Sequence, residues 1–390
     1  MVDVAEHRAV ISGIGISRIG RKTGIPGLVL TEEACRAALA DAGLDGGSVE
    51  GLASMGDTPL DDVAVALGVE PAWTSGAALG NGGLLAPVMA AVSAVAERRV
   101  RHALVYRTVR MVGGAIGPGA GNEGGAAPPP DRGGARVMGD MAPLLTYHAY
   151  SAANWVAMHC RRHMYLYGTT KEQLGHLAIN SRRYAALNPL ATYRQPITME
   201  DYLSARPISE PFGLLDCDVP VDGSIAVVVS TAGYGVDAAH GAVRVEAVGT
   251  APGFGGWDQR PDYPKMASME AAAEMWGRTD LKPADVDLAE LYDGFTFLTL
   301  AWLEALGFCD TGEAGPFVEG GSRITLGGDL PLNTYGGQLS AGRMHGYWVL
   351  HEACLQLRGQ AGARQVDGAE VAVVSNGGGP IAGCILLTRP

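Results

Sequence analysis

The chain lacks any apolar run approaching the roughly 20 residues that a membrane-spanning helix needs, so no such helix is expected. Its opening, MVDVAEHRAVISGIG, has neither the basic nor the apolar region of a secretory leader, and a cytoplasmic location follows as the expectation. Lys and Arg form no cluster and the formal net charge is -12, which argues against a nucleic-acid binder, because phosphate recognition needs a basic face. The six cysteines, Cys35, Cys160, Cys217, Cys309, Cys354 and Cys384, are scattered without a CxxC pair. Neither a disulfide framework nor a zinc site is expected, and the thiols are expected to be reduced and mostly buried. The glycines of GIGISRIG do not match a dinucleotide fingerprint, which needs an acidic residue about 20 positions on. His159 and His163, with His176 and Glu172 further on, do not make a metal set. Flanked by Arg161 and Arg162, they read as a solvated or pocket-rim helix face. No metal and no resident cofactor are expected.

What the chain does have is length, glycine and alternation. Its 390 residues are 47% hydrophobic and 18% charged, enough for a large core or two fused half-domains. Glycine (56) and proline (22) concentrate at residues 113–136, a surface loop that is either flexible or orders over a ligand or partner subunit. RAVISGIGISRIG predicts a strand and turn, and LTEEACRAALADAGL a helix capped by Thr31, with Glu32 and Glu33 in its first turn and Gly43 at its end. Strands over VEGLASM and HALVYRTV flank a helix at residues 83–99. Two helices, a proline-rich connector and the strand SIAVVVSTA follow. The second part alternates again: VRVEAVGTA, a helix from ASMEAAAEM, DLAELYD, a helix from FTFLTLAWLEALGF, then VLHEACLQLRG and two closing strands. The expectation is an α/β protein in two halves, residues 1–240 with an insertion at about 110–222, and residues 241–390.

Chemistry-bearing residues gather in GGQLSAGRMHGYW, residues 336–348, where Arg343, His345 and Tyr347 sit among four glycines. Beside LAELYDGFTF, NTYGGQ and the connector RRYAALNPLATYRQPITMEDYLSARPISEPFGLLDCDVPVDG, this pattern resembles the thiolase superfamily in its sterol-carrier-protein (lipid-transfer) branch. The resemblance runs nearly end to end and implies a layered αβαβα thiolase-like fold and a homodimer.

The catalytic positions depart from the family pattern. Where thiolases carry a nucleophilic cysteine, this chain has ALGNGGLLAPVMAA, with Leu79, Gly80 or Asn81 at the position. Arg343 stands where the Gly-His-Pro turn has its basic histidine, and a guanidinium does not accept a proton at neutral pH. Ser375 or Asn376 replaces the second cysteine. Tyr292 replaces the histidine of a His-Asp-x-Phe motif, as in the steroid side-chain-cleaving aldolases of this branch. That resemblance implies cysteine-independent retro-aldol cleavage of a bulky β-hydroxyacyl-CoA to a ketone and a short acyl-CoA. It also implies a small acyl-CoA-binding partner with an OB-type fold. Tyr292 then transfers a proton at the hydroxyl or the α-carbon, and His345 supplies the complementary proton or a hydrogen bond. Arg343 stabilises negative charge, binds a CoA phosphate, or pairs with a carboxylate such as Glu352. The relatives carry a second tyrosine where this chain has Arg343, so the second phenol is either lost or supplied by Tyr335 or Tyr347. Asp293 and Asn333 are read as holding backbone, water or substrate. Backbone amides at Gly336, Gly337, Gly377 and Gly378, with Ser375 and Asn376, form the expected binding shell. The alternatives are a non-catalytic lipid or acyl-CoA carrier and a partner-dependent acyl transferase.

Overall fold

A computed structural model describes residues 4–55, 58–76, 82–111, 139–236, 238, 240–251 and 256–389. The glycine-rich loop at 113–136 and the nucleophile position at 79–81 lie outside the described residues.

The first buried strand, β1 (Ala9–Ile16), feeds helix α1 (Gly27–Ala42). Pro26 sets the entry to α1, and Gly43 closes it in the left-handed region at φ 69°. The helix therefore starts four residues before Thr31. That threonine is no cap: it is fully buried in the helix body and bonds the Gly27 carbonyl, Thr58 and Thr108. Glu32 and Glu33 correspondingly lie beyond the first turn. Strand β2 (Gly51–Ser54), helix α2 (Leu60–Leu67), edge strand β3 (Trp73–Gly76), helix α3 (Ala86–Ala96) and strand β4 (His102–Arg110) follow. Neither α2 nor β3 is announced by the sequence pattern. Helix α2 is only eight residues long, and the four residues of β3 alternate between half-buried and exposed.

The insertion contributes helices α4 (Ala152–Tyr167), α5 (Lys171–Leu187) and α6 (Met199–Leu203), and a small hairpin of β5 (Pro207–Ser209) and β6 (Phe212–Gly213). Capping boxes from Ser151 and Thr170 start the two long helices. Strand β7 (Asp222–Thr231) then returns to the sheet. The second series comprises β8 (Val243–Ala251), α7 (Ser268–Trp276), β9 (Leu288–Glu290), α8 (Thr296–Ala305), α9 (Ala314–Val318), α10 (Tyr347–Leu357), β10 (Val371–Gly377) and β11 (Ala382–Thr388).

The main sheet has the order β3-β2-β4-β7-β1-β8-β11-β10-β9. Read outward from β1, the pairings are antiparallel to β7, antiparallel to β4, then parallel to β2 and β3. Read outward from β8, they are antiparallel to β11, antiparallel to β10 and parallel to β9, with a further parallel bridge from Ala289 to Leu332. The same wiring thus occurs twice. Only two residue pairs, Val10 with Arg244 and Ile11 with Val243, join the two runs. Helices α3 and α10 contribute to a shared core cluster with strands of both runs, while α1 and α2 cover one outer face and α7 and α8 the other. This is a layered α/β, thiolase-like arrangement. No helix among the described residues is long and apolar enough to cross a membrane.

Candidate active site

The connector is fastened by Asp216, a fully buried carboxylate that collects Lys171 Nζ, the Tyr202 hydroxyl, Thr296 Oγ1 at 2.7 Å and the Gly213 amide at 2.7 Å. With Asp216 anchored, the next residues thread between two other segments. Cys217 forms a backbone bridge with Phe295, Asp218 donates its amide to the Gly294 carbonyl at 3.1 Å, and Val219 donates to Gln338 O at 2.8 Å. Arg343 in turn donates its amide to Val219 O at 2.8 Å. The threading sets the Asp218 carboxylate against Arg343, whose Nη1 lies 3.2 Å from each oxygen, while Arg343 Nε rests 2.9 Å from Met111 Sδ.

Tyr292 sits where β9 has ended and α8 has not begun. Its amide is held by Ser375 Oγ at 3.0 Å, and its ring lies over Gly294, where an added Cβ would come within 3.0 Å of the ring and 3.3 Å of the hydroxyl. Glycine at 294 therefore lets the phenol fold back toward Asp218 and Arg343. Burial raises the Tyr292 phenol above its ordinary range, Asp218 adds to the rise, and Arg343 and Arg107 oppose it without prevailing. A phenol raised in this way keeps its proton at neutral pH and has one to donate. Asp218 is likewise raised by burial, against the pull of Arg343.

His345 completes the cluster from a strained turn. Its φ is +50°, uncommon for a residue with a side chain, and Gly346 follows at +87°. Asn376 holds the turn by donating Nδ2 to the His345 carbonyl at 3.1 Å, while its Oδ1 accepts the Leu84 amide at 2.8 Å. Gly346 must be glycine, because a Cβ there would lie 1.7 Å from Asn376 Nδ2. On the ring side, Arg107 Nη2 of β4 meets His345 Nδ1 at 2.6 Å.

Three of the expected residues, Tyr292, Arg343 and His345, thus share one partly open cluster with Asp218 and Arg107. Several others are placed differently. Tyr347 and Tyr335 are fully buried in the central core, with Tyr335 stacked on Trp348 at 5.2 Å, so neither supplies a second phenol at the cluster. Their aromatic bulk fills the space between the helices and the sheet. Asn376 and Ser375 engage backbone amides and a carbonyl with their polar atoms, which makes them positioning groups for the cluster. Asn333 does the same, accepting the Leu291 amide at 2.6 Å from a left-handed backbone. Asp293 accepts the Gln338 amide at 2.9 Å, and burial pushes its carboxyl up to about 6 against that bond. The amides of Gly336 and Gly378 already donate to Asn333 O and Ile381 O, which removes them from the expected thioester-binding shell. Gly337 packs its α-carbon against Asp293, and the Gly377 carbonyl accepts from Trp302. Glu352 is not the partner of Arg343; Arg364 holds it through two bonds of 2.9 Å.

Asp218 and Arg107 went unmarked in the sequence reading. Asp218 stands inside the quoted motif LLDCDVP, and its charge between apolar residues is a signal; Arg107 gives none, being 238 residues from its partner. The histidines of α4 also differ from expectation. His159 and His163 are buried, the first between the carbonyls of Pro264 and Trp257, the second between Thr169 and Glu304. They fasten the insertion to its neighbours, and among the described residues no metal-binding group occurs. All six thiols are free, and burial raises each above its usual range. Cys217, beside Asp218, is pushed up to about 12. None is activated for nucleophilic attack.

The chain is 35% identical over 397 residues to a steroid side-chain-cleaving aldolase of Thermomonospora curvata, with 99% of both chains covered. The chain belongs to the aldolase branch of the thiolase superfamily. It is a carbon–carbon lyase by kinship, without a functional thiolase centre. It is also 36% identical to the 17-hydroxy-3-oxo-4-pregnene-20-carboxyl-CoA lyase of Mycobacterium tuberculosis, over 97% of this chain and 99% of the relative. Residues 255–386 match the family model described as thiolase C-terminal domain-like. The solved structure of an Ltp2-ChsH2(DUF35) aldolase superposes with a TM-score of 0.88 at 32% identity, covering 99% of each chain.

Proposed function

We propose that this protein cleaves the CoA thioester of a β-hydroxylated steroid side chain by a retro-aldol reaction, releasing a steroid ketone and a short acyl-CoA. The observation that carries the reading is the convergence of a protonated phenol, Tyr292, with the Asp218–Arg343 pair and with His345, in a chain whose six thiols are unactivated. In this scheme Asp218 removes the proton of the β-hydroxyl. The oxygen lone pair forms the ketone as the Cα–Cβ bond breaks, and its electrons pass to the thioester as an enolate. Tyr292 then protonates the α-carbon, and Asp218 returns its proton to the phenolate, so the residues end as they began. No resident cofactor is required.

The assembly is part of the same proposal. Strand β3 is an edge of the main sheet whose outer side has no strand partner among the described residues, which supports a homodimer formed across it. A small OB-type, acyl-CoA-binding partner is proposed because the similar Ltp2-ChsH2(DUF35) aldolase is named for two components. The unpaired thiols suit a reducing, cytoplasmic setting. The two halves are taken to divide near residue 240.

The test is Tyr292→Phe assayed with the partner present. The expected result is loss of cleavage by about 100-fold or more, with substrate binding changed only a few-fold. The intact mass of the wild type should be unchanged after incubation with acyl-CoA. Cleavage by Tyr292→Phe at the wild-type rate would remove the phenol from the mechanism; a stable acyl adduct would favour the transferase reading.

A further inference from the structure

The contact between Arg107 and His345 decides what the imidazole does. A guanidinium carries only N–H donors and keeps its proton at any pH the protein meets. At 2.6 Å from Arg107 Nη2, His345 Nδ1 is therefore the acceptor. A neutral imidazole has a single N–H, and with Nδ1 accepting, that hydrogen is on Nε2. An imidazolium would set one N–H against another and a cation against a cation. Both partners are anchored by their backbones. Arg107 is buried in β4, paired in register with Ile225 of β7, and His345 is fixed by Asn376 on its carbonyl and by the left-handed turn.

Two guanidinium charges near the ring also disfavour an imidazolium. Arg107 faces it from β4 and Arg343 lies two residues away on the same turn. The connector contributes Asp218, engaged with Arg343, and the loop after β9 contributes the Tyr292 phenol and Asp293, which is turned toward the Gln338 amide.

We infer that Arg107 is a positioning residue that fixes His345 as the neutral Nε2–H tautomer. Resting on the function proposed above, His345 then donates a hydrogen bond to the thioester oxygen as it becomes an enolate, and is not the base that takes the hydroxyl proton. A neutral donor suits this task because it binds the developing oxyanion without surrendering a proton to it.

Imidazole ¹⁵N NMR tests the tautomer without relying on catalysis, with His345 assigned by comparison with His345→Gln. The expected wild-type signals are those of an Nε2–H ring that does not titrate between pH 5.5 and 8. In Arg107→Met the ring should titrate with a midpoint near its ordinary value of about 6.5, and Arg107→Lys should suppress that titration again. In cleavage assays, Arg107→Met should lower kcat by about 10- to 100-fold with KM changed less than about threefold, and add an ionisation near pH 6.5 to the rate profile. An Nδ1–H ring, or ordinary titration in the wild type, overturns the inference even if the enzyme is an aldolase. Absence of cleavage with a correct tautomer overturns the function and leaves the Arg107 assignment standing.

Discussion

At the scale of the residue, Asp293 shows how burial and chemistry meet. Its carboxyl lies at about 6 because burial outweighs the Gln338 amide, whereas the same group in an unfolded chain lies near 3.9. The folded form holds the proton more tightly, so the associated stability is complete below about pH 4 and is lost as pH rises through about 6. The expected loss is on the order of 2–3 kcal/mol. Asp293→Asn should flatten this part of the profile, as measured by urea unfolding at pH 4.5 and pH 7; an unchanged slope would place the titration elsewhere. Tyr292, Arg343 and His345 were legible because each stands inside a short motif whose neighbours constrain it. Asp218 and Arg107 were not, since their roles depend on contacts made across the fold. Tyr335 and Tyr347 misled for the opposite reason: a phenol near a glycine-rich turn is as useful for filling a core as for moving protons.

At the scale of the element, the two runs of strands share a device as well as a wiring. In β1, Gly15 lets α1 lie so close that an added Cβ would stand 2.2 Å from the Ala34 carbonyl; in β8, Gly249 does the same for α7, at 2.0 Å from Ala271 O. The clash is with helix backbone, which cannot step aside as a flexible side chain does. Gly249→Ala should therefore destabilise the protein by about 1–3 kcal/mol or more, read from the shift in denaturant midpoint. Gly233→Ala, where nothing lies within 4 Å of the added Cβ, is the control and should change little. Long strands and long helices were legible here because they bury continuous apolar faces. The start of α1 was missed because Pro26 sets it, with no side-chain oxygen to announce it.

At the scale of the whole molecule, the exposed edge of β3 makes oligomeric state the informative measurement. Sedimentation should give about twice the 40.4 kDa chain mass, and Thr74→Lys on that edge should shift the protein toward monomer. A wild type that sediments as one chain would remove the edge from the interface. The alternation of elements made the α/β layering legible from sequence, but not that the site draws on both runs of strands. Asn376 makes that dependence concrete, because one end of its amide grips Leu84 and the other grips the His345 turn. Placing a thiol there, by Asn376→Cys, would leave the Leu84 N–H without its acceptor, at an expected stability loss of about 1–3 kcal/mol, and would loosen the histidine. The variant should show neither acyl transfer nor efficient cleavage. One side chain thus works as a bolt between the two runs of strands, and a single letter changed there is felt on both sides of it.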